Sequence, residues 1–192
     1  MMRTGAIVVA AATMLTLSGC SKKEAPPTIN ESMTGVMEPT AQTIWDTVSR
    51  AYNDLGDGLE PSKLTDDDWT KLADASQKLK DRATIFANAT HVVVATSNEP
   101  ILGSHAAGIK GNVGPAWDAL NAQQVQARID AQPALFAEKA RTLAESADAI
   151  HRAAATRDTA LLYKVSSDLD EVCDGCHEPF WGTDEPPPFP QH

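Results

Sequence analysis

The sequence predicts an all-α fold, most simply a four-helix up-down-up-down bundle. Three observations predict it. Apolar residues recur at intervals of three and four through four long stretches, Gly and Pro concentrate in the segments between them, and no stretch carries a convincing strand alternation. With 192 residues, 42% of them hydrophobic, the chain can fill one domain with a sizeable core.

The first residues stand outside that domain. "MMRTGAIVVAAATMLTLSGC" opens with a single Arg3, runs through an apolar stretch from Ala6 to Leu17 and closes on small residues. Residues 1–19 therefore read as an export signal. The stretch is too short for the usual membrane span, and no later run approaches the roughly 20 apolar residues that a span needs. The closing "LSGC" resembles the lipobox of bacterial lipoproteins, which implies lipidation of Cys20 and anchoring of the mature chain to a membrane through acyl chains. In that class a Ser after the Cys, here Ser21, goes with sorting to the outer membrane, so the expected place is the periplasm. Residues 20–30 are polar, hold the pair Pro26-Pro27 and lack periodicity, so they read as lipidated Cys plus flexible tether. The domain proper is expected over 31–182 and a Pro-rich tail over 183–192.

The first helical pattern runs from Ile29 to Leu55 through Met33, Val36, Met37, Ile44 and Val48, with Trp45 beside them. Pro39 lies inside it and predicts a kink, or a start near Thr40. "NDLGDGLEPSK" supplies the connecting loop. Thr65 is an N-cap candidate, followed by Asp66, Asp67 and Asp68 where the helix dipole favours carboxylates. Trp69, Leu72, Ser76, Leu79, Ala83 and Phe86 then mark a second helix ending near Val94.

Four glycines and two prolines between Ala95 and Pro115 predict a loop. Beyond it the chain is rich in strong helix formers, with a buried stripe expected at Leu135, Phe136, Lys139, Leu143, Ala147 and Ile150, and a kink or new start at Pro133. The fourth pattern, from about Arg157, steps through Leu162, Val165, Leu169, Val172 and Cys176. It carries "CDGCH" on its last turns, and "EPFWGTDEPPPFPQH" after it, with five prolines, reads as tail.

Charge and motifs exclude several classes. A formal net charge of −10 disfavours nucleic acid, because a phosphate-tracking surface needs clustered Lys and Arg. No G-x-S-x-G, H-E-x-x-H or Gly-rich phosphate loop stands in a fitting context. What remains is Cys173, Cys176 and His177. Residues three and four apart share a helix face, so two thiols can form thioethers with one haem while the neighbouring imidazole reaches the iron. C-x-x-C-H accordingly reads as a c-type haem-attachment motif. A thioredoxin-like pair calls for a βαβ context and a helix N-terminus. A zinc site calls for a further ligand such as His91, His105 or His151. Export and the full five-residue motif favour one covalent haem c.

A four-helix chain whose C-x-x-C-H lies on the last helix resembles the class II cytochromes c, the cytochrome c-prime family, over roughly residues 29–182. "MTGVMEPTAQTIWDTV" and "CDGCHEPFW" are similar to a periplasmic subgroup with Met, Pro and Trp at like spacing. The resemblance implies that the sixth iron position faces the first helix. There a Met would give a low-spin iron for one-electron transfer, and a Leu or Phe a five-coordinate iron that binds nitric oxide or carbon monoxide. Met33 and Met37 stand four residues apart. Met33 is preferred because the subgroup places its Met six residues before the Pro, and Met37 is the alternative. The expectation is an electron carrier, not an enzyme, working between periplasmic redox partner proteins, with a homodimer through the first two helices as the family suggests. His91, His105, His151 and His192 read as surface or capping residues. Trp45, Trp69, Trp117 and Trp181 read as packing, with Trp181 one turn beyond His177 and able to cover a haem edge.

Overall fold

The computed structural model describes residues 27–96 and 120–181, and over them the chain is all-α. The β-type pairing among these residues is an isolated bridge between Tyr52 and Leu59. The expected export signal, Cys20, Ser21, His105, Trp117, His192 and the expected tail after Trp181 lie outside the described residues. Among those described, no helix is long and apolar enough to cross a membrane.

Helix α1 (Ile29–Ser32) starts on a capping box. The Thr28 hydroxyl accepts from the Glu31 N–H, and the Glu31 carboxylate accepts from the Thr28 N–H. The helix thus begins two residues before the expected start of the domain at residue 31. A π-helical segment (Met33–Met37) continues it directly into α2 (Glu38–Ser49). Pro39 explains the change of register. It has no N–H, and in a regular helix its ring would meet the carbonyl of residue 35. Widening the turn lets the Glu38 N–H reach the Met33 carbonyl five residues back, while the Thr40 hydroxyl donates to the Val36 carbonyl at 2.8 Å. The helix stops at Ser49, short of the expected Leu55, which is 85% exposed. The loop turns at Gly56, φ 73°, with its N–H on the Asn53 carbonyl.

Helix α3 (Asp66–Ala87) follows the Thr65 cap as expected, with Asp68 closing the capping box. It ends seven residues before Val94. From there the chain is no longer helical: the Val93 and Val94 carbonyls accept from the first two N–H groups of α1, each at 2.9 Å, and the Gln126 side chain brackets Val92 and Val94. Three consecutive β-branched valines weaken the helix here, and two of them satisfy donors that a helix start leaves open.

Helices α4 (Ala122–Ala131) and α5 (Pro133–Thr156) meet at Gln132, whose φ of −137° and ψ of 53° are not helical. Pro133 starts the second of them, as its fixed φ and missing N–H suit. Arg157, in the left-handed region, and the Asp158 N-cap join α5 to α6 (Thr159–Ser167). The expected single last helix is divided at Asp168, after which α7 (Leu169–Trp181) begins. Glu178 to Trp181 were expected in the tail and instead form the last turn of α7, with Phe180 only 1% exposed.

Paired contacts give the directions. Arg50 meets Asp68, and Arg82 meets Ser32, so α1–α2 and α3 run antiparallel. Ala73 meets His151 and Phe86 meets Phe136, so α3 and α5 do too. Phe136 meets Phe180, and Lys139 approaches Gly175, so α5 and α7 are likewise antiparallel. Ile44, Leu72, Leu79, Ile150, Leu162, Leu169 and Phe180, all under 2% exposed, form the core between them.

Candidate functional site

Leu169 and Phe180 sit in the core and fix which side of α7 faces inward. Cys173 and Cys176 lie between them on that side, both half-buried and both free thiols. At 100° per residue, Cys176 stands about 60° to one side of Cys173 and His177 about 40° to the other. The two thiols and the imidazole therefore share one half of the helix circumference, as the spacing predicts. The motif is central in α7, because the helix continues one turn past it.

The thiols are held protonated. Burial pushes Cys173 up to about 12, with the carboxylate of Asp170, then Cys176 and Asp174, adding to the rise. Burial likewise raises Cys176, to about 11, against a lowering by the Lys139 ammonium. Lys139 lies on α5, and its Nζ is 3.7 Å from where a Cβ on Gly175 would stand. Lys139 was expected in the buried stripe, with no role at the motif, and is half-buried.

On the other flank of α7, the His177 and Trp181 rings meet edge-on, 6.5 Å apart at 61°. The segment that follows α2 approaches α6. Tyr163 of α6 meets Tyr52 edge-on at 5.9 Å. Met33 and Met37 were expected on one face. The π-helical segment separates them: Met37 is 7% exposed in the core, whereas Met33 is half-buried at its edge.

Trp45 carries a feature that its sequence position does not signal. Its Nε1–H is shut off from solvent and has no hydrogen-bond acceptor among the described residues. Leaving such a donor unpaired costs about 1–3 kcal/mol, which makes it a place where an acceptor is wanted.

The other candidates stand apart. His91 is exposed beyond the end of α3 rather than ending a helix, and a ring nitrogen of His151 is 3.0 Å from the Ala73 carbonyl oxygen, tying α5 to α3. Trp69 is core. One cleft lies between Lys80, Arg141 and Arg152, a second between Phe86, His91 and Phe136, and neither is lined by α7. Among the described residues no three His, Cys, Asp or Glu side chains converge as a metal cage. Two thiols on successive turns can form thioethers with a group carrying two vinyls, and the neighbouring imidazole can ligate a metal within it.

Comparison with known proteins returns no match: no family profile, no curated protein and no solved structure is similar to this chain.

Proposed function

We propose that the protein is a lipid-anchored, periplasmic, monohaem c-type cytochrome of the class II type that carries single electrons. The observation that supports this best is the set on α7: two unpaired thiols at i and i+3 on the core side, half-buried, with His177 on the adjoining flank. Thiols meant for a structural bridge would be paired in an oxidising compartment. Thiols meant for redox exchange would have a lowered pKa, and these are raised. The orphaned Trp45 N–H and the partly buried apolar collar of Val172 and Trp181 suit a large, mostly apolar group with polar edges.

In this reading Cys173 and Cys176 hold one haem c covalently, His177 is an axial ligand, and Met33 or Met37 is the other. The group when bound supplies a reversible one-electron couple. The chain fixes its ligands, its burial and its access to partners. The antiparallel pairings support a four-helix up-down-up-down bundle with α1–α2, α3, α4–α5 and α6–α7 as its rods. Lipidation of Cys20 tethers the domain to the outer membrane, and periplasmic redox proteins are its partners. A homodimer through the first two rods follows the class resemblance.

The test is the ultraviolet-visible spectrum of the protein matured in a periplasm, ferric and ferrous, with and without carbon monoxide, for wild type, Met33→Ala and Met37→Ala. Expected are covalent haem and a low-spin ferrous form that resists carbon monoxide. The weak far-red ferric band of sulfur ligation should be lost in one of the two variants. A high-spin iron that takes up carbon monoxide and ignores both substitutions sinks the electron carrier and leaves a binder of nitric oxide or carbon monoxide. No Soret band at all sinks both.

A further inference from the structure

We propose that Lys139 sets the reduction potential of the haem, its ammonium favouring the ferrous state from beside the turn that joins Cys173 and Cys176. The proposal rests on the haem reading above and gives a role to a residue outside the attachment motif. Contacts between α5 and α7 place it. Phe136 of α5 meets Phe180 of α7 at 5.5 Å. Lys139, one turn on from Phe136, brings its Nζ within 3.7 Å of the point where a Cβ on Gly175 would stand. The motif feels the ammonium there, because it draws the Cys176 thiol down against the rise from burial.

Nothing neutralises that charge locally. Lys139 is half-buried, and the residues three and four away on its own helix, Leu135, Phe136, Thr142 and Leu143, are uncharged. Lys71 pairs with Asp67 and Lys80 with Asp148, whereas Lys139 forms no ion pair among the described residues. The charges that act on Cys173 are the carboxylates of Asp170 and Asp174, so Lys139 is the cation that opposes them at this turn. Reduction delivers one electron to the iron and lowers the positive charge of the group by one. An uncompensated cation beside the group therefore stabilises the reduced form, and partial burial weakens the screening that water supplies. A unit charge about 10 Å from a redox centre, at an effective dielectric of about 20, changes a one-electron equilibrium about tenfold once surface screening is allowed for, or about 60 mV.

The experiment uses the full, matured protein. Covalent haem is first verified from the pyridine haemochrome, and the midpoint potential is then measured by mediated dithionite titration for wild type, Lys139→Gln, Lys139→Met, Lys139→Arg and Lys71→Gln. Lys71 is the control for net charge. It lies near the level of Ala73, which meets His151, about 18 Å along α5 from Lys139. Expected is a reduction equilibrium constant about tenfold lower in the two neutral Lys139 variants, and close to wild type in Lys139→Arg and Lys71→Gln. A loaded neutral variant with the wild-type potential overturns the proposal. An equal fall in Lys139→Arg overturns it too, since shape and not charge would then decide, as does an equal fall in Lys71→Gln. Loss of haem from both neutral variants also overturns it, because the ammonium would then serve retention instead of potential. Wild-type protein without covalent haem overturns the reading beneath the proposal, which is a different result from a loaded protein indifferent to Lys139.

Discussion

In the haem-free chain the two cysteines of α7 should be unusually slow nucleophiles, and Cys176 the faster of the pair. Their pKa values of about 12 and about 11 leave, at pH 8, thiolate fractions of about 10⁻⁴ for Cys173 and about 10⁻³ for Cys176, against roughly a quarter for an ordinary cysteine near 8.5. A more basic thiolate is intrinsically more reactive, with a Brønsted slope of about 0.4–0.5, which returns one to one and a half orders of magnitude. The net expectation is alkylation about twentyfold slower than a free cysteine for Cys176 and about sixtyfold slower for Cys173. The perturbation is Lys139→Gln, which removes the ammonium that lowers Cys176. Cys176 should slow further while Cys173 keeps its rate. The assay is iodoacetamide labelling of the haem-free chain, followed by peptide mass analysis, with the guanidinium-unfolded chain as reference and circular dichroism to verify helix content. Equal rates in the folded and unfolded chains would refute the burial argument. Slowing of both cysteines alike in Lys139→Gln would refute the placement of Lys139 at Gly175.

Other outcomes follow from single contacts. Thr65→Ala removes the capping box of α3 and should cost about 1 kcal/mol, read as a lower denaturation midpoint at unchanged slope. Asp68 gives the pH dependence of the same site. The hydrogen bonds from the Thr65 hydroxyl and amide, then Arg50, hold its carboxyl below the usual range. A depressed folded value means that its stabilisation is fully present above the unfolded pKa of about 3.9 and is lost as pH falls through the lower folded one. Thr65→Ala should therefore flatten the acid limb of the stability curve, and an unchanged acid limb would show that the box does not set it. Phe180→Ala empties the core end of α7 where Phe136 packs at 5.5 Å. It should cost about 3–5 kcal/mol, and a loss below 1 kcal/mol in thermal unfolding would show that the last turn is not docked.

The parts of this fold legible in the sequence are those decided locally. Thr65 with its three aspartates announces a helix start, and Trp69, Leu72, Leu79, Ala83 and Phe86 step along one face and are buried as the spacing requires. The placement of Cys173, Cys176 and His177 on a helix was legible for the same reason. The misses are positions where a distant partner decides. Val92 to Val94 leave the α3 pattern because α1 and Gln126 use their backbone groups. Pro179 does not end α7, because Phe180 gains the core by continuing. The Trp45 donor was beyond sequence reasoning altogether, since an indole N–H is satisfied or not only by what stands opposite it.

The π-helical segment ties several of these threads together. Its bounds, Met33 and Met37, are the two residues proposed for the iron, and its cause is local: Pro39 cannot sit in a regular register above residue 35 without a clash. An added residue in one turn rotates everything before it relative to everything after it. Met37 and the α2 face below it therefore keep their place in the core, while Met33 turns to the half-buried edge. Accessibility favours Met33, which is half-buried at the core edge, whereas Met37 is closed in by core side chains. A regular helix would have given both residues one direction and made them interchangeable. With the π-helical segment they are distinct, so alanine at one position should remove the sulfur ligand and alanine at the other should leave it in place.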